Sequence, residues 1–290
     1  MWALRAGGLR RLRKEMIARL LGIFVFSIFL MGPTACSPDT EKGGQTAGER
    51  PRSGTAHREA MDAHERSDVT EGNPSAMPET PVTWDYVALG DSLAVGVGAH
   101  LGYVDRYAEY LHDDTDARVK LTNLGVSGQT SPQLLRALRN DPSTRRALRG
   151  AEVVTYNIGI NDLGQARGSY EAKTCGGVRN QRCLRVAAEE FEGNWDAITK
   201  EILSLRSPDE TIIRTAGLGY LPQAGKTFEP YLKKANRHIA ASAAESGIPY
   251  AEADLGDEDL GPDGLHPDDS GYETIADRLQ RLGYEPLMSR

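Results

Sequence analysis

Between residues 81 and 290 the hydrophobic pattern alternates between short apolar runs and longer amphipathic stretches. Five of the short runs predict β-strands, each bounded by turn residues. These runs cover residues 82–89, 119–124, 153–158, 211–216 and 248–251. Strands that alternate with helices are typical of a parallel sheet with helices on both faces. The pattern therefore predicts one α/β domain over residues 81–290.

The amphipathic stretches predict helices from the spacing of their apolar side chains. In one stretch these side chains are spaced by four, three, four and three residues, so they share one helix face and predict core packing. The stripe consists of Phe191, Trp195, Ile198, Ile202 and Leu205. Two further helices are predicted over residues 227–246 and 270–282. Ser270, followed three residues later by Glu273, predicts a capping box at the start of the last helix.

The first 36 residues have the pattern of a secretion signal, in which basic residues precede an apolar run and small residues follow it. The run, residues 20–31, is shorter than the roughly 20 apolar residues that span a bilayer, which favours a cleaved signal over a transmembrane anchor. Its end, Thr34-Ala35-Cys36, resembles the lipobox of bacterial lipoproteins, which lipidate the cysteine, although Pro33 stands where that motif usually has Leu. The alternative is cleavage nearby, with Cys36 left as an ordinary thiol.

Residues 37–80 contain no Leu, Ile, Phe, Trp or Tyr and are rich in polar residues. Such a segment buries too little apolar surface to offset its ordering entropy, so it predicts a disordered tether. As a random coil the tether would span about 35 to 40 Å. We therefore expect an exported lipoprotein on the outer face of a bacterial cytoplasmic membrane, or otherwise a secreted protein.

Composition narrows the classes of function. The net charge of −7 argues against binding to nucleic acid or to an anionic lipid surface, which both require an excess of Lys and Arg. Charged residues make up 26% and hydrophobic residues 39%, which is ordinary for a soluble domain with a real core. Cys175 and Cys183 could form a disulfide in an oxidising compartment, or remain two free thiols.

Candidate chemistry lies in the turns that follow the predicted strands, where α/β sheets bind ligands. The sequence GDSL at residues 90–93 would present Ser92 at the rim of the sheet as a nucleophile that needs a base. His266 is the best candidate base, because Asp263 three residues earlier could orient its ring. His100 has no evident acidic partner. The structural alternatives are a helix cap at Ser92 and a loop that caps the last helix.

Acyl transfer also needs hydrogen-bond donors aimed at the developing oxyanion, each worth on the order of 10²- to 10³-fold in rate. Gly128, in the sequence SGQT, offers a backbone N–H where a side chain would crowd the substrate. Asn161, in the sequence GIND, offers a side-chain amide. Each of the two could instead be only a turn residue.

Together these motifs resemble the SGNH (GDSL-type) hydrolases over essentially all of residues 81–290. Ser92, Gly128, Asn161 and His266 match the four letters of that name in the correct order, and Asp263 completes the sequence DxxH. The resemblance implies a three-layer, flavodoxin-like α/β fold and ester hydrolysis with no metal or organic cofactor. The elbow G-x-S-x-G of the α/β-hydrolases is not present around Ser92, which disfavours that fold.

The resemblance also implies a role for each matched residue. Ser92 would attack the acyl carbon, His266 would serve as base and then acid, and Asp263 would orient the imidazole. The backbone N–H groups of Ser92 and Gly128 and the amide of Asn161 would bind the oxyanion.

For the substrate we expect a small ester with an acetyl or short acyl group, such as an acylated carbohydrate, because residues 163–185, read as a rim loop, are not strongly apolar. The alternatives are a lipase, phospholipase or thioesterase acting on longer acyl chains, and a non-catalytic module that binds glycans. We expect a monomer whose membrane contact is the N-terminal lipid anchor.

Overall fold

The computed structural model describes residues 81–219 and 225–288. The predicted signal peptide, lipidation site and tether lie outside the described residues. Five strands form one parallel sheet in the order β2-β1-β3-β4-β5. They are β1 (Thr83–Gly90), β2 (Arg118–Asn123), β3 (Val153–Asn157), β4 (Ile212–Ala216) and β5 (Tyr250–Ala251). This order is that of flavodoxin-like folds, so the predicted fold class is confirmed.

Helices connect these strands along the described chain. They are α1 (Ser92–Val95), α2 (Tyr103–Thr115), α3 (Ser131–Asn140), α4 (Pro142–Gly150), α5 (Ile160–Glu171), α6 (Arg182–Leu203), α7 (Gly225–Glu245) and α8 (Asp269–Gln280). Short 3-10 turns cover Val178–Asn180 and Asp257–Asp259. Within residues 81–219 and 225–288, none of the helices combines the length and the apolar character needed to cross a membrane.

Both faces of the sheet are buried, as the alternation of side chains in β1 requires. Tyr86 and Ala88 pack on one face in a cluster that includes residues of α2 and α8. Val87 and Leu89 pack on the other face in a cluster that includes residues of α3, α5, α6 and α7. The sheet is therefore the middle of three layers.

The apolar stripe of α6 is confirmed as core. Phe191, Trp195, Ile198 and Ile202 are fully buried, and Trp195 stacks on Tyr156 of β3 with ring centroids 5.1 Å apart. The fifth member of the stripe lies beyond the end of α6 and is partly buried against the same core.

The predicted cap of the last helix is wrong. Helix α8 begins at Asp269, and its N-cap is Asp268, whose side chain accepts hydrogen bonds from the N–H groups of Ser270 and Gly271 at 2.9 and 3.0 Å. The hydroxyl of Ser270 also donates to this carboxylate, at 2.7 Å. The N-cap thus lies two residues earlier than predicted, and a charged acceptor caps the free N–H groups of the first turn of the helix.

The segment 163–185, read from its composition as a rim loop, is helical as far as Glu171. The two glycines in this helical part, Gly164 and Gly168, weaken a helix by about 1 kcal/mol each. Leu163 and Ala166 are nevertheless buried in the core cluster of α6, and this tertiary packing outweighs the local preference. After this helix, a disulfide joins Cys175 to Cys183, with their Cα atoms 4.9 Å apart.

Candidate active site

Ser92 lies just beyond the carboxyl end of β1, at the rim of the sheet. The strand ends at Gly90, and the next residue, Asp91, caps the short helix α1 by accepting a hydrogen bond from the N–H of Leu93 at 3.1 Å. Ser92 is the first residue of that helix and is 8% exposed. The turn therefore holds the Ser92 hydroxyl at the carboxyl end of the central strand.

His266 reaches this hydroxyl from the loop that precedes α8. Its Nε2 lies 2.9 Å from the Oγ of Ser92, and its Nδ1 lies 2.6 Å from an Oδ of Asp263. The other carboxylate oxygen of Asp263 accepts hydrogen bonds from the N–H groups of Leu265 and His266, both at 2.9 Å. The three side chains thus form one continuous chain of hydrogen bonds.

The charge of Asp263 fixes the proton on the imidazole. Partial burial raises the pKa of Asp263, but the hydrogen bonds from His266 and from the N–H of Leu265 outweigh it and lower the pKa to about 2. The carboxylate is therefore ionised at neutral pH and accepts the Nδ1–H of His266. Nε2 is left to accept the proton of Ser92, which is the arrangement that activates a serine nucleophile.

The backbone N–H groups of Ser92 and Gly128 have no hydrogen-bond acceptor within the described part of the chain. Gly128 lines the same cavity as Ser92 and has a φ of +77°. A Cβ atom built on Gly128 would meet no atom within 4 Å, so this residue faces open space. Both donors are thus available to an oxygen atom bound beside Ser92.

Asn161 enters the site from the first turn of α5, the helix that follows the neighbouring strand β3. The turn before it needs Gly159, which has a φ of +127° and whose Cβ atom would lie 2.2 Å from the ring of Phe191. The Nδ2 of Asn161 lies 3.2 Å from Oδ2 of Asp91 and 2.9 Å from the backbone oxygen of Gln129. Both amide hydrogens of Asn161 are therefore engaged by protein acceptors.

The sequence reasoning assigned no role to Asp91, which is fully buried beside Ser92. Burial raises its pKa to about 6. Asp162 adds to this rise, while the N–H of Leu93 and the charge of His266 oppose it. Asp91 is part of the GDSL motif, but the motif does not indicate its contact with Asn161, which lies 70 residues away in the sequence.

Asp162, the last residue of the GIND motif, supports the site through its hydrogen bonds with Ser131. Its carboxylate accepts hydrogen bonds from the backbone N–H of Ser131, at 2.9 Å, and from the hydroxyl of Ser131, at 2.6 Å. These bonds tie the start of α5 to the start of α3, and so fix the loop that contains Gly128. Burial raises the pKa of Asp162.

The other histidines of the described domain lie outside this site. His100 pairs with Asp269 at 2.9 Å, so the expectation that it lacks an acidic partner is wrong; the partner is 169 residues away in the sequence. His238 pairs with Asp196 at 2.8 Å. Across residues 81–219 and 225–288 no group of three or more His, Cys, Asp and Glu side chains is arranged to hold a metal ion.

A cavity of about 510 Å³ opens in front of Ser92 and His266, within the usual range for small-molecule sites. Gly128 and Asn161 line it as well. Most of its remaining wall is apolar, with contributions from Leu93, Val97, Ile160, Leu255, Leu260 and Leu265. The site therefore combines an activated hydroxyl and free donors with a surface suited to a hydrocarbon chain.

Comparison with known proteins identifies a protein family that matches this chain. The sequence model of the GDSL-like lipase/acylhydrolase family matches residues 88–274, more than half of the chain. The chain belongs to this family. As a GDSL-like acylhydrolase it is a carboxylic-ester hydrolase, and the family relationship predicted from the sequence is confirmed.

Individual relatives of this GDSL-like hydrolase cover its catalytic region. It is 27% identical to the spore germination lipase LipC of Bacillus licheniformis over 216 residues, which are 71% of this chain and 99% of LipC. The crystal structure of the lipase Lip_vut3 from a goat rumen metagenome is 26% identical with a TM-score of 0.64, and the match covers 71% of this chain and all of that one. Axe2, an acetylxylan esterase from Geobacillus stearothermophilus, shares the fold at 18% identity and a TM-score of 0.55, over 73% of this chain and 99% of its own.

Proposed function

We infer that the protein is an extracytoplasmic serine esterase in which Ser92, His266 and Asp263 form the catalytic triad. The observation that carries this assignment is the hydrogen-bonded chain from the Ser92 hydroxyl through His266 to Asp263, at 2.9 and 2.6 Å, on the wall of an apolar cavity. A helix cap would account for Ser92 alone. It would not account for the imidazole and carboxylate aligned behind it.

In the first half-reaction the Oγ of Ser92 attacks the ester carbonyl carbon while its proton passes to Nε2 of His266. Asp263 stabilises the imidazolium that forms. The C–O bond to the alcohol then breaks, and His266 donates its proton to the leaving alcohol. The acyl group remains on Ser92 as an ester.

In the second half-reaction a water molecule attacks the acyl carbon and gives a proton to His266. The bond between the acyl carbon and Oγ breaks, and His266 returns the proton to Ser92. The products are a carboxylic acid and the free enzyme, so no metal or organic cofactor enters the balance.

The backbone N–H groups of Ser92 and Gly128 and the amide of Asn161 stabilise the negative oxygen in both half-reactions. Because both hydrogens of Asn161 are engaged by Asp91 and Gln129 in the free enzyme, one of these bonds must lengthen or be shared when the oxyanion forms. Such donors are worth on the order of 10²- to 10³-fold each in rate.

The acyl groups in this proposal are longer than acetyl. Composition alone favoured small groups, because the segment 163–185 is polar on average. Of that segment's residues that line the cavity, two are glycines, Gly164 and Gly168, and three leucines from elsewhere in the chain line the same cavity. The sequence similarity to two lipases, LipC and Lip_vut3, supports the same direction, whereas Axe2 shares only the fold.

The test of the triad is hydrolysis of p-nitrophenyl esters by the purified chain and by a Ser92→Ala variant. We expect the variant to lose activity while keeping the circular dichroism spectrum and melting temperature of the wild type. Ser246→Ala, at a serine in the turn after α7 and outside the cavity, serves as the matched control and keeps full activity. Activity retained by Ser92→Ala would overturn the assignment.

The location in this proposal is the outer face of a cytoplasmic membrane, with a lipid on Cys36 and the segment 37–80 as a tether for the catalytic domain of residues 81–290. The basic and apolar pattern before Cys36 supports export, and a Cys175–Cys183 disulfide fits an oxidising compartment. We expect the released domain to be monomeric by analytical ultracentrifugation.

Fractionation of expressing bacteria tests this location. We expect the full chain in the membrane fraction, accessible to protease added outside the cytoplasmic membrane. Cys36→Ser is expected to shift the protein to the soluble fraction, whereas Cys175→Ser leaves it on the membrane. A cytoplasmic, soluble wild type would overturn the proposed location and leave the triad untouched.

A further inference from the structure

Helix α5 forms one wall of the cavity in front of Ser92. Five of its residues line that wall: Ile160, Gly164, Arg167, Gly168 and Glu171. Ile160, Gly164 and Gly168 are spaced by four residues, and Gly164, Arg167 and Glu171 by three and four, so all five lie on one face of the helix, which begins beside the reaction centre and runs away from it. The wall is thus continuous with the site of chemistry.

Two positions on this wall have no side chain. A Cβ atom built on Gly164 or Gly168 would meet no atom within 4 Å, and neither residue has a positive φ. The backbone therefore does not require glycine at either position. The missing side chains leave a trench along α5, in the cavity that Leu255, Leu260 and Leu265 also line.

We propose that this α5 trench binds the acyl chain of the substrate and that Gly164 and Gly168 set the chain length that fits; the proposal rests on the esterase function given above. The direction follows from Asn161. Its amide is beside the position of the carbonyl oxygen, and Asn161 lies in the first turn of α5. The acyl chain attached to the carbonyl carbon therefore enters the trench at Ile160. The leaving alcohol must instead stay within reach of Nε2 of His266.

The rise per residue of α5 relates each position on the helix to the length of acyl chain that reaches it. From Asn161 to Gly168 the helix rises about 10 Å, which corresponds to an extended acyl chain of about eight carbons. At the far end the guanidinium of Arg167 and the carboxylate of Glu171 form an ion pair at 2.7 Å. A longer chain would have to cover these charges, which is unfavourable, so we expect activity to fall beyond about twelve carbons.

Leucine substitutions at the two glycines test whether the trench limits the length of the acyl chain. Gly164→Leu is expected to retain p-nitrophenyl acetate hydrolysis within about threefold and to lose hexanoate and decanoate hydrolysis by at least about 30-fold in kcat/KM. Gly168→Leu, one turn further along α5, is expected to retain acetate and hexanoate and to lose decanoate. Both changes replace an exposed helical glycine by a better helix former, so folding is preserved.

The matched control is Gly193→Leu, at an exposed glycine of α6 that is outside the cavity and whose Cβ position is also open. It is expected to retain all three activities. If the two cavity variants show the wild-type profile, or if both cut off at the same length, the trench does not hold the acyl chain. A cut-off that appears in a series of acetate esters with lengthening alcohols, instead of in the acyl series, overturns the proposal in the same way.

A binding measurement separates this proposal from the esterase function. Decanoate is expected to bind the wild type and Gly193→Leu by isothermal titration calorimetry, and to bind Gly164→Leu at least about tenfold more weakly. If the wild type hydrolyses no ester but binds decanoate in this pattern, the catalytic assignment fails and the trench stands. If the esters are hydrolysed but decanoate binds all variants equally, the trench fails and the esterase stands.

Discussion

The amide nitrogen of Asn161 lies 3.2 Å from a carboxylate oxygen of Asp91, which has no exposed surface. Asp91 follows the end of β1 and precedes the proposed nucleophile Ser92, and Asn161 follows β3, so this contact joins two neighbouring strand ends at the candidate site. The second oxygen of Asp91 accepts the N–H of Leu93. A single buried carboxylate thus positions both the turn that holds Ser92 and the proposed oxyanion donor Asn161.

Asp91→Asn is expected to change the pH dependence of stability. Because burial raises the folded-state pKa of Asp91 to about 6, its stabilising contribution is complete below the ordinary value of 3.8 and is lost as the pH rises through 6. An asparagine does not titrate. The free energy of unfolding of the variant, relative to wild type, should therefore increase by about 2 kcal/mol between pH 4 and pH 7.

The same substitution is expected to lower kcat by about 10- to 100-fold. Leu93 and Asn161 donate to different oxygens of Asp91, and an asparagine has an NH2 group in place of one of them, so the proposed oxyanion donor loses its orientation. Urea unfolding at several pH values and steady-state kinetics measure the two effects. A parallel pair of stability curves for variant and wild type would contradict the account of Asp91.

Asp263→Asn is expected to reduce kcat by about 10³- to 10⁴-fold with little change in KM, because a neutral amide does not stabilise the imidazolium of His266. Kinetics with p-nitrophenyl butyrate measure this loss. Asp268→Asn, at the cap of α8, is the matched control for removing a carboxylate nearby, and it should affect stability more than kcat.

The effect of Asp263 on stability has the opposite sign to that of Asp91. Its folded-state pKa is lowered to about 2, so its contribution is present above 3.8 and is lost as the pH falls towards 2. The side chain is 51% exposed, and solvent screening limits this contribution to about 1 kcal/mol. A stability difference between Asp263→Asn and wild type that grows on acidification would contradict this assignment.

Gly128→Ala tests the oxyanion site. The φ of +77° makes alanine unfavourable by about 1 kcal/mol, and the new methyl group would enter the cavity beside the oxyanion. We expect kcat/KM to fall by about 10- to 100-fold. Gly247→Ala carries a similar backbone cost, at φ +66°, in the turn before β5 and should lose stability alone. Equal kinetics for the two variants would remove Gly128 from the site.

Replacing both cysteines of the Cys175–Cys183 disulfide by alanine is expected to lower the free energy of unfolding by about 2.5 kcal/mol, from the chain entropy of the short loop that the bond closes. Thermal unfolding of the variant should match that of reduced wild type, and addition of a reductant should leave the variant unchanged. If reductant does not alter the wild type, the cysteines are not paired in solution.

Much of the fold followed from periodicity. The stripe of α6 was predictable because its buried face repeats at the helical period. The strands were predictable because central parallel strands such as β3 and β4 are buried on both faces and form short apolar runs. The N-cap of α8 was predicted incorrectly, because Asp268 and Ser270 both have capping side chains and local sequence does not rank them. Helix α5 was taken for a loop, because its glycines disfavour a helix and the packing of Leu163 and Ala166 in the core, which compensates, depends on distant residues.

The sequence by itself determined the residue types of the site and the strand ends that carry them. Each of the four motif residues is recognisable because it lies in a short sequence motif: Ser92, Gly128, Asn161 and His266. The carboxyl ends of parallel strands lie at one edge of the sheet, where α/β proteins bind ligands. Contacts between distant segments were decided only by the tertiary structure. The Asp91–Asn161 bond and the open trench along α5 depend on distances between side chains that are far apart in the chain, and such distances leave no periodic signal in the sequence.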